Sequence, residues 1–157
     1  MPDECTAAGD ITSVRRAWLG VFLGFRSLNS AVFDQVTERT GLPDSSFLVL
    51  SHLLNQPGHG APMSRLARHL EFSTAGITKV TDRLSQAGLL ERRPCPTDRR
   101  VVFAVLSADG AAMAHRIDAA LEDAVRDLLV ARTGEEDFGR LVEIMAKVRS
   151  GLPGEPC

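Results

Sequence analysis

The stretch "MSRLARHLEFSTAGITKVTDRLSQAGLLERRPCPTDRRVVFAVLS", residues 63–107, constrains the fold more than any other part of the chain. It holds two short runs with helical apolar spacing, a connection of three or four residues, and two β-rich runs around a tip of prolines and arginines. The first run, "MSRLARHL", reads as a helix with Ser64 at its N-cap and Leu66, Ala67 and Leu70 inward. The second, "TAGITKVTDRLSQAG", is capped by Ser73, turns Ile77, Val80, Leu84 and Ala87 inward, and ends at Gly88. Two helices joined so tightly make a helix-turn-helix. "LLERRP" and "VVFAVLS" then make a hairpin with "CPTDRR" as its stiff polar tip.

The flanks are helical. From Ile11 to about Arg39, Val14, Trp18, Val21, Phe22, Phe25, Leu28, Val32, Phe33 and Val36 draw one apolar stripe, stopped by Gly41 and Pro43. "LPDSSFLVLSHLLNQPG" is a second helix, capped by Asp44 or Ser45 and ended by Pro57 and Gly58, and "GHGAP" is a turn. Ser107 caps a helix reaching about Arg132, with Ala111, Ala114, Ile117, Leu121, Ala124, Val125 and Leu128 along one side. Beyond Gly134 a last helix places Phe138, Leu141, Ile144, Met145 and Val148 inward, and "LPGEPC" is a tail. With 157 residues, 44% hydrophobic content and no repeats or low-complexity linkers, one domain is expected. The fold class is mainly α with a small β-wing: a winged helix-turn-helix lobe over 45–106, flanked by long helices over 11–40 and 107–151.

Charge concentrates where the motif lies. Residues 63–100 carry eight Lys/Arg against four acids, a net of +4 in a chain whose formal charge is -2. A basic block on an acidic scaffold is the footprint of a polyanion-binding segment, or else a solvated charged face. A helix that enters the major groove reads base edges with its first turn. Here that turn offers Ser73, Thr74, Ala75, Gly76, Thr78 and Lys79, while Arg83, a turn later, reaches phosphates or a guanine edge. Arg99 and Arg100 stand where a wing tip reaches the minor groove. Asp98 either pairs with Arg100 or a nearby arginine, fixing the tip, or caps the turn. Arg92 and Arg93 alternate across a strand, so only one faces DNA.

These residues resemble the MarR family of bacterial transcription regulators. "STAGITKVTDRLSQAGLLERR" is similar to the family's recognition helix running into its wing. "DRR" at 98–100 matches its Asp-x-Arg wing signature, and "VLSADG" its strand end followed by Leu-Thr-x-x-Gly. Lys79 stands where arginine is commoner, and Ser107 replaces the threonine. The likeness is strongest over about residues 45–115. It implies a homodimer, built by the terminal helices, that binds a pseudo-palindromic double-stranded DNA operator as repressor or activator. Ser64, Ser73, Thr74, Ala75, Gly76, Thr78, Lys79, Arg83, Arg92, Asp98, Arg99 and Arg100 are then the DNA-contact set.

The resemblance also implies an effector: a small aromatic acid, an oxidant or a metal, acting between the dimer helices and the DNA lobe. For an aromatic ligand, Trp18, Phe22, Phe25 and His52 are the pocket linings, unless those aromatics are simply core. An oxidant would act through Cys5 or through Cys95, which lies between prolines in the basic wing, or Cys95 is an inert surface thiol. Cys5, Cys95 and Cys157 form no disulfide framework. His52, His59, His69 and His115 never recur at i, i+4, so neither a metal nor another cofactor is called for. No phosphate loop, dinucleotide motif or zinc-hydrolase motif is present, and an enzyme is not expected. The competing reading is a winged-helix module that binds protein, which the wing arginines disfavour. No apolar run approaches a membrane span and the N-terminus lacks a signal's pattern, so a cytoplasmic location is expected.

Overall fold

The computed structural model describes residues 13–151. Ile11, Cys5, Cys157 and the "LPGEPC" tail lie outside the described residues. Helix α1 (Val14–Thr40) begins where the Ser13 hydroxyl accepts from the Arg16 N–H, and closes at Gly41, whose N–H donates to the Thr37 carbonyl at 2.8 Å. Its apolar stripe splits in function. Val32 and Val36 are buried, whereas Val14, Trp18, Val21, Phe22 and Phe25 stay exposed. The buried half packs on α5 (Ala108–Val125) and is tied to it by Arg39 and Asp123, 2.6 Å apart.

Helix α2 (Asp44–Leu54) is the centre of the core, with Phe47, Val49, Leu50 and Leu53 buried, and Phe33 of α1 meets Phe47 edge to face at 4.9 Å. Neither Asp44 nor Ser45 caps it. Pro43 occupies the cap position, and the Asp44 carboxylate accepts only from the adjacent Ser45 N–H. The helix also ends at Leu54, short of Pro57, because Pro57–His59 forms a separate 3-10 turn.

The segment read as a plain turn contains a strand. β1 (Gly60–Pro62) pairs antiparallel with β3 (Val102–Leu106), which also pairs antiparallel with β2 (Leu90–Pro94), giving the order β1-β3-β2. Ala61 and Arg92 both stand opposite Ala104. Three residues lack the length for an alternating pattern, so β1 had no legible signal. Pro62 then takes the N-cap position of α3 (Met63–His69), which moves Ser64 inside the helix instead of at its cap. Leu66 and Ala67 face the core as expected, joined by Ile77, Val80 and Leu84 of α4 (Thr74–Gln86). Ala87 is exposed: it is the residue after the helix, just before Gly88 (φ +74) turns the chain toward β2.

Ser107 caps α5 through the Gly110 N–H, as expected. The helix continues as a π-helical turn (Arg126–Val130) and a short α6 (Ala131–Thr133), with Arg132 donating to the Asp127 and Leu128 carbonyls. Gly134 (φ +85) breaks the run before α7 (Glu135–Gly151). The inward assignment for α7 fails in the single chain. Leu141, Ile144, Met145 and Val148 are all exposed and Phe138 is half-buried, because α7 meets the rest of the chain mainly near its start, at α6, the π-helical turn and the cavity that Phe138 shares with α5. No helix among the described residues is long and apolar enough to cross a membrane.

Candidate nucleic-acid interface

Helix α4 is amphipathic, burying Ile77, Val80, Thr81 and Leu84 and leaving Thr74, Ala75, Thr78 and Lys79 exposed. The Ser73 hydroxyl accepts from the Gly76 N–H at 3.0 Å, so it serves the helix as a cap. Gly76 leans on the Phe72 ring; a Cβ there would sit 3.7 Å from it and 3.1 Å from the Ser73 hydroxyl. Thr78 donates its own hydroxyl back to the Thr74 carbonyl at 2.8 Å, and the residue remains exposed. No acid lies in the first turn, so the positive end of the helix dipole is uncompensated on the exposed side.

The wing folds back toward this helix. Met63, Ser64 and Ala67 of α3, Thr74, Ile77 and Thr78 of α4, and Arg92, Arg100, Val101 and Val102 of the wing line one cleft of about 420 Å³. The structure thereby brings Ser64, Thr74, Thr78, Arg92 and Arg100 together. Thr74, Ala75, Thr78, Lys79 and Arg83 share the adjoining open face of α4 with Asp82 and Gln86. At the tip, Asp98 accepts from the Arg100 backbone N–H at 3.0 Å and from its guanidinium at 3.2 and 3.3 Å. Those bonds, the side-chain one foremost, hold the Asp98 carboxyl below its usual range. The Arg100 side chain nonetheless remains 92% exposed, aimed by Asp98 without being covered. Arg99 is exposed beside it.

Two other arginines are placed differently from the expectation. Arg83 borders α4's outer face, and its guanidinium donates to the Ser45 hydroxyl at 3.1 Å and the Ser46 hydroxyl at 2.9 Å. Arg92 reaches from β2 onto α4, pairing with Asp82 at 2.8 Å and donating to the Thr81 hydroxyl at 2.6 Å and the Thr78 carbonyl at 3.2 Å. Arg93, on the opposite face of the strand, is held by Glu91 at 2.8 Å. Strand alternation thus separates Arg92 from Arg93, as the sequence required. Ser45, Ser46 and Thr81 were missed as parts of the site. The legible signal for Thr81 was its place in the inward 77, 80, 81, 84 series, where a hydroxyl needs a partner.

Cys95 follows β2 near the tip, with its sulfur 3.3 Å from the Thr97 hydroxyl. That hydrogen bond pulls the thiol below its ordinary range, against smaller opposing effects of partial burial and the Asp98 charge. Among the described residues it is the free cysteine, and no cluster of His, Cys, Asp and Glu is arranged to hold a metal.

The four residues expected to line an effector pocket are not brought together. Phe25 lines an open cavity of about 1020 Å³ with Leu23, Arg26, Phe33, Thr37 and Asp44 among others. Trp18 and Phe22 lie outside that lining, with Trp18 66% exposed and the Arg26 guanidinium 5.9 Å from the Phe22 ring centre. His52 sits elsewhere, its ring 4.4 Å from that of His69. Burial foremost, then the charges of His69 and Arg65, holds the His52 imidazole below its ordinary value. The folded protein therefore favours neutral His52, so the unfolded chain takes up the proton first as pH falls. Stability is expected to decline as pH drops below about 6.5, and His52→Gln is expected to flatten that decline in urea midpoints compared at pH 7.5 and 5.5.

Comparison with known proteins agrees with this geometry. Residues 40–101 match the model of the MarR family. The chain is 30% identical over 123 residues to the HTH-type transcriptional regulator PecS of Dickeya dadantii, covering 76% of this chain and 72% of PecS. It superposes on the Streptomyces coelicolor MarR family regulator Sco3205, solved in complex with DNA, with a TM-score of 0.78 and 26% identity over 90% of this chain and 92% of that one. NadR, solved in complex with 4-hydroxyphenylacetate, shares the fold at a TM-score of 0.66 and 21% identity, over 94% of this chain and 97% of that one. The family match, the identity to PecS and the shared fold agree, and the chain belongs to the MarR family of DNA-binding transcription regulators, which are not enzymes.

Proposed function

We propose that the protein is a repressor that binds a pseudo-palindromic operator as a homodimer and is released by a small aromatic acid. One observation carries the DNA-contact part: Thr74 and Thr78 of α4 open on the same cleft as Arg100 of the wing tip. In this reading Thr74, Ala75, Thr78 and Lys79 meet the major groove, Ser64 and Ser73 sit near its backbone, and Arg99 and Arg100 reach the neighbouring minor groove. A dimer seated over two half-sites about 34–36 Å apart covers promoter DNA, and that occlusion is the basis of repression.

The dimer is supported by what the single chain leaves bare. Trp18, Val21, Phe22 and Phe25 of α1, with Leu141, Ile144, Met145 and Val148 of α7, expose large apolar side chains at both ends of the sequence. Patches of that kind in a water-soluble chain belong to an interface. Sedimentation at micromolar concentration is expected to give twice the 17.0 kDa chain mass, and Phe22→Asp combined with Ile144→Asp is expected to give the chain mass alone. A dimer-sized double variant would remove these helices from the interface.

The effector reading rests on the cavity beside Phe25, where the Phe25 and Phe33 rings supply apolar surface and Arg26 a cation suited to a carboxylate. NadR's complex with an aromatic acid lends it support. An electrophoretic shift on the protein's own upstream DNA tests the whole proposal. Binding is expected to weaken with salt at a log-log slope of about -0.9 per phosphate neutralised, and to be reversed by some member of an aromatic-acid panel. Salt-insensitive retention, or no shift at all, would overturn it.

A further inference from the structure

We infer that Arg83 and Arg92 act as positioning residues that brace the recognition helix from two sides, not as contacts to DNA. α4 is short and touches the rest of the lobe along one apolar stripe, which fixes its depth but resists rotation about its own axis poorly. Rotation decides which side chains meet the bases. The two guanidiniums act against that freedom. Arg83 leaves α4 and is anchored on the N-terminal turn of α2 by Ser45 and Ser46, and Ser46 is fully buried there. Arg92 leaves β2 and grips α4 at three points, the Thr78 carbonyl, the Thr81 hydroxyl and the Asp82 carboxylate.

Each anchor is chemically committed. Thr81 is fully buried; its hydroxyl donates to the Ile77 and Thr78 carbonyls and accepts from Arg92. Arg92 also neutralises Asp82, a carboxylate on the open face of α4 that phosphate would otherwise repel. For Arg92 a guanidinium suits this work because its rigid fork serves Asp82 through one terminal nitrogen and Thr78 and Thr81 through the other, while Arg83 reaches both serines through a single terminal nitrogen whose direction the planar group fixes. The inference rests on α4 being the groove-facing helix. Salt-dependent binding by the unaltered protein is the control that separates failure of that reading from failure of this one.

The test compares four variants on a fixed operator and on operators altered at single positions. Ser46→Ala and Thr81→Val each remove an anchor and keep the arginine's charge. Arg83→Lys and Arg92→Lys keep the charge and lose the fork. A brace predicts that all four weaken operator binding about tenfold, with the salt slope unchanged and with reduced discrimination between operators. A phosphate contact predicts the opposite pattern: the anchor variants bind as the unaltered protein does, and lysine rescues. Normal affinity in both anchor variants, or a slope reduced by about 0.9 when Arg83 or Arg92 is replaced by methionine, overturns the inference. Because Ser46→Ala and Thr81→Val are small truncations, they remain readable even where an arginine variant unfolds.

Discussion

Gly110→Ala is expected to destabilise the protein by about 3 kcal/mol or more, near or beyond the upper end for overpacked sites. Gly110 lies in the first turn of α5, buried against the chain as it leaves α4. A Cβ at this position would stand 2.9 Å from the Leu89 carbonyl carbon, nearer still to its oxygen. The obstacle is backbone, so no rotamer change relieves it. The backbone is also pinned: the Ser107 N–H donates to the Leu89 carbonyl at 3.2 Å and the Ser107 hydroxyl to the Gly88 carbonyl at 2.7 Å. Opening the joint to admit a methyl group therefore breaks the cap of α5 and the turn after α4 together. A urea midpoint within about 1 kcal/mol of the unaltered protein's would mean that the joint yields. The glycine of "VLSADG" is explained by this close approach, and the serine by its double role as cap and strap.

Arg99→Ala combined with Arg100→Ala is expected to weaken operator binding at least about 100-fold with the fold intact. A hydrogen bond to a charged group contributes roughly 1.5–3 kcal/mol, and every 1.4 kcal/mol is tenfold in affinity. Two such contacts multiply. Stability should hardly change, because Arg100 is exposed and Asp98 retains its bond to the backbone N–H of residue 100. The effect should shrink as salt rises, since much of what is lost is counterion release. Asp98→Asn is the informative companion. It leaves both cations in place and removes the charge that aims one of them, so a smaller loss is expected there. Affinity unchanged in the double variant would take the wing out of the mechanism.

Much of this was legible in the sequence because it depends on near neighbours. Helix spacing, the Ser73 and Ser107 caps, the turn at Gly88 and the Asp98–Arg100 pair all arise from residues within four positions of one another. Local chemistry determines them wherever the chain goes. β1 escaped notice because its pairing with β3 joins positions more than forty residues apart and rests on three residues. The same limit governs the arginines. Sequence places Arg83, Arg92, Arg99 and Arg100 in one basic block and cannot say which of them is already occupied. Ser45 and Ser46 answer for Arg83 from 38 and 37 residues away, and Thr81 for Arg92 from eleven.

Within the single chain the four expected pocket residues stand apart for a related reason. Periodicity put Trp18, Phe22 and Phe25 on one stripe, and α1 is long enough that only its second half meets the core. A helical stripe announces that something covers it without naming the cover, so the exposed half of α1 and the face of α7 read in sequence like ordinary core. By itself, then, the sequence determined the order of helices, the caps and turns, the wing and the basic block, since each follows from local spacing and dihedral preference. Only the tertiary structure decided which cations stay available to a polyanion and which are spent holding α4 in place, because a guanidinium's partners are set by which distant surfaces folding brings within 3 Å or so of it.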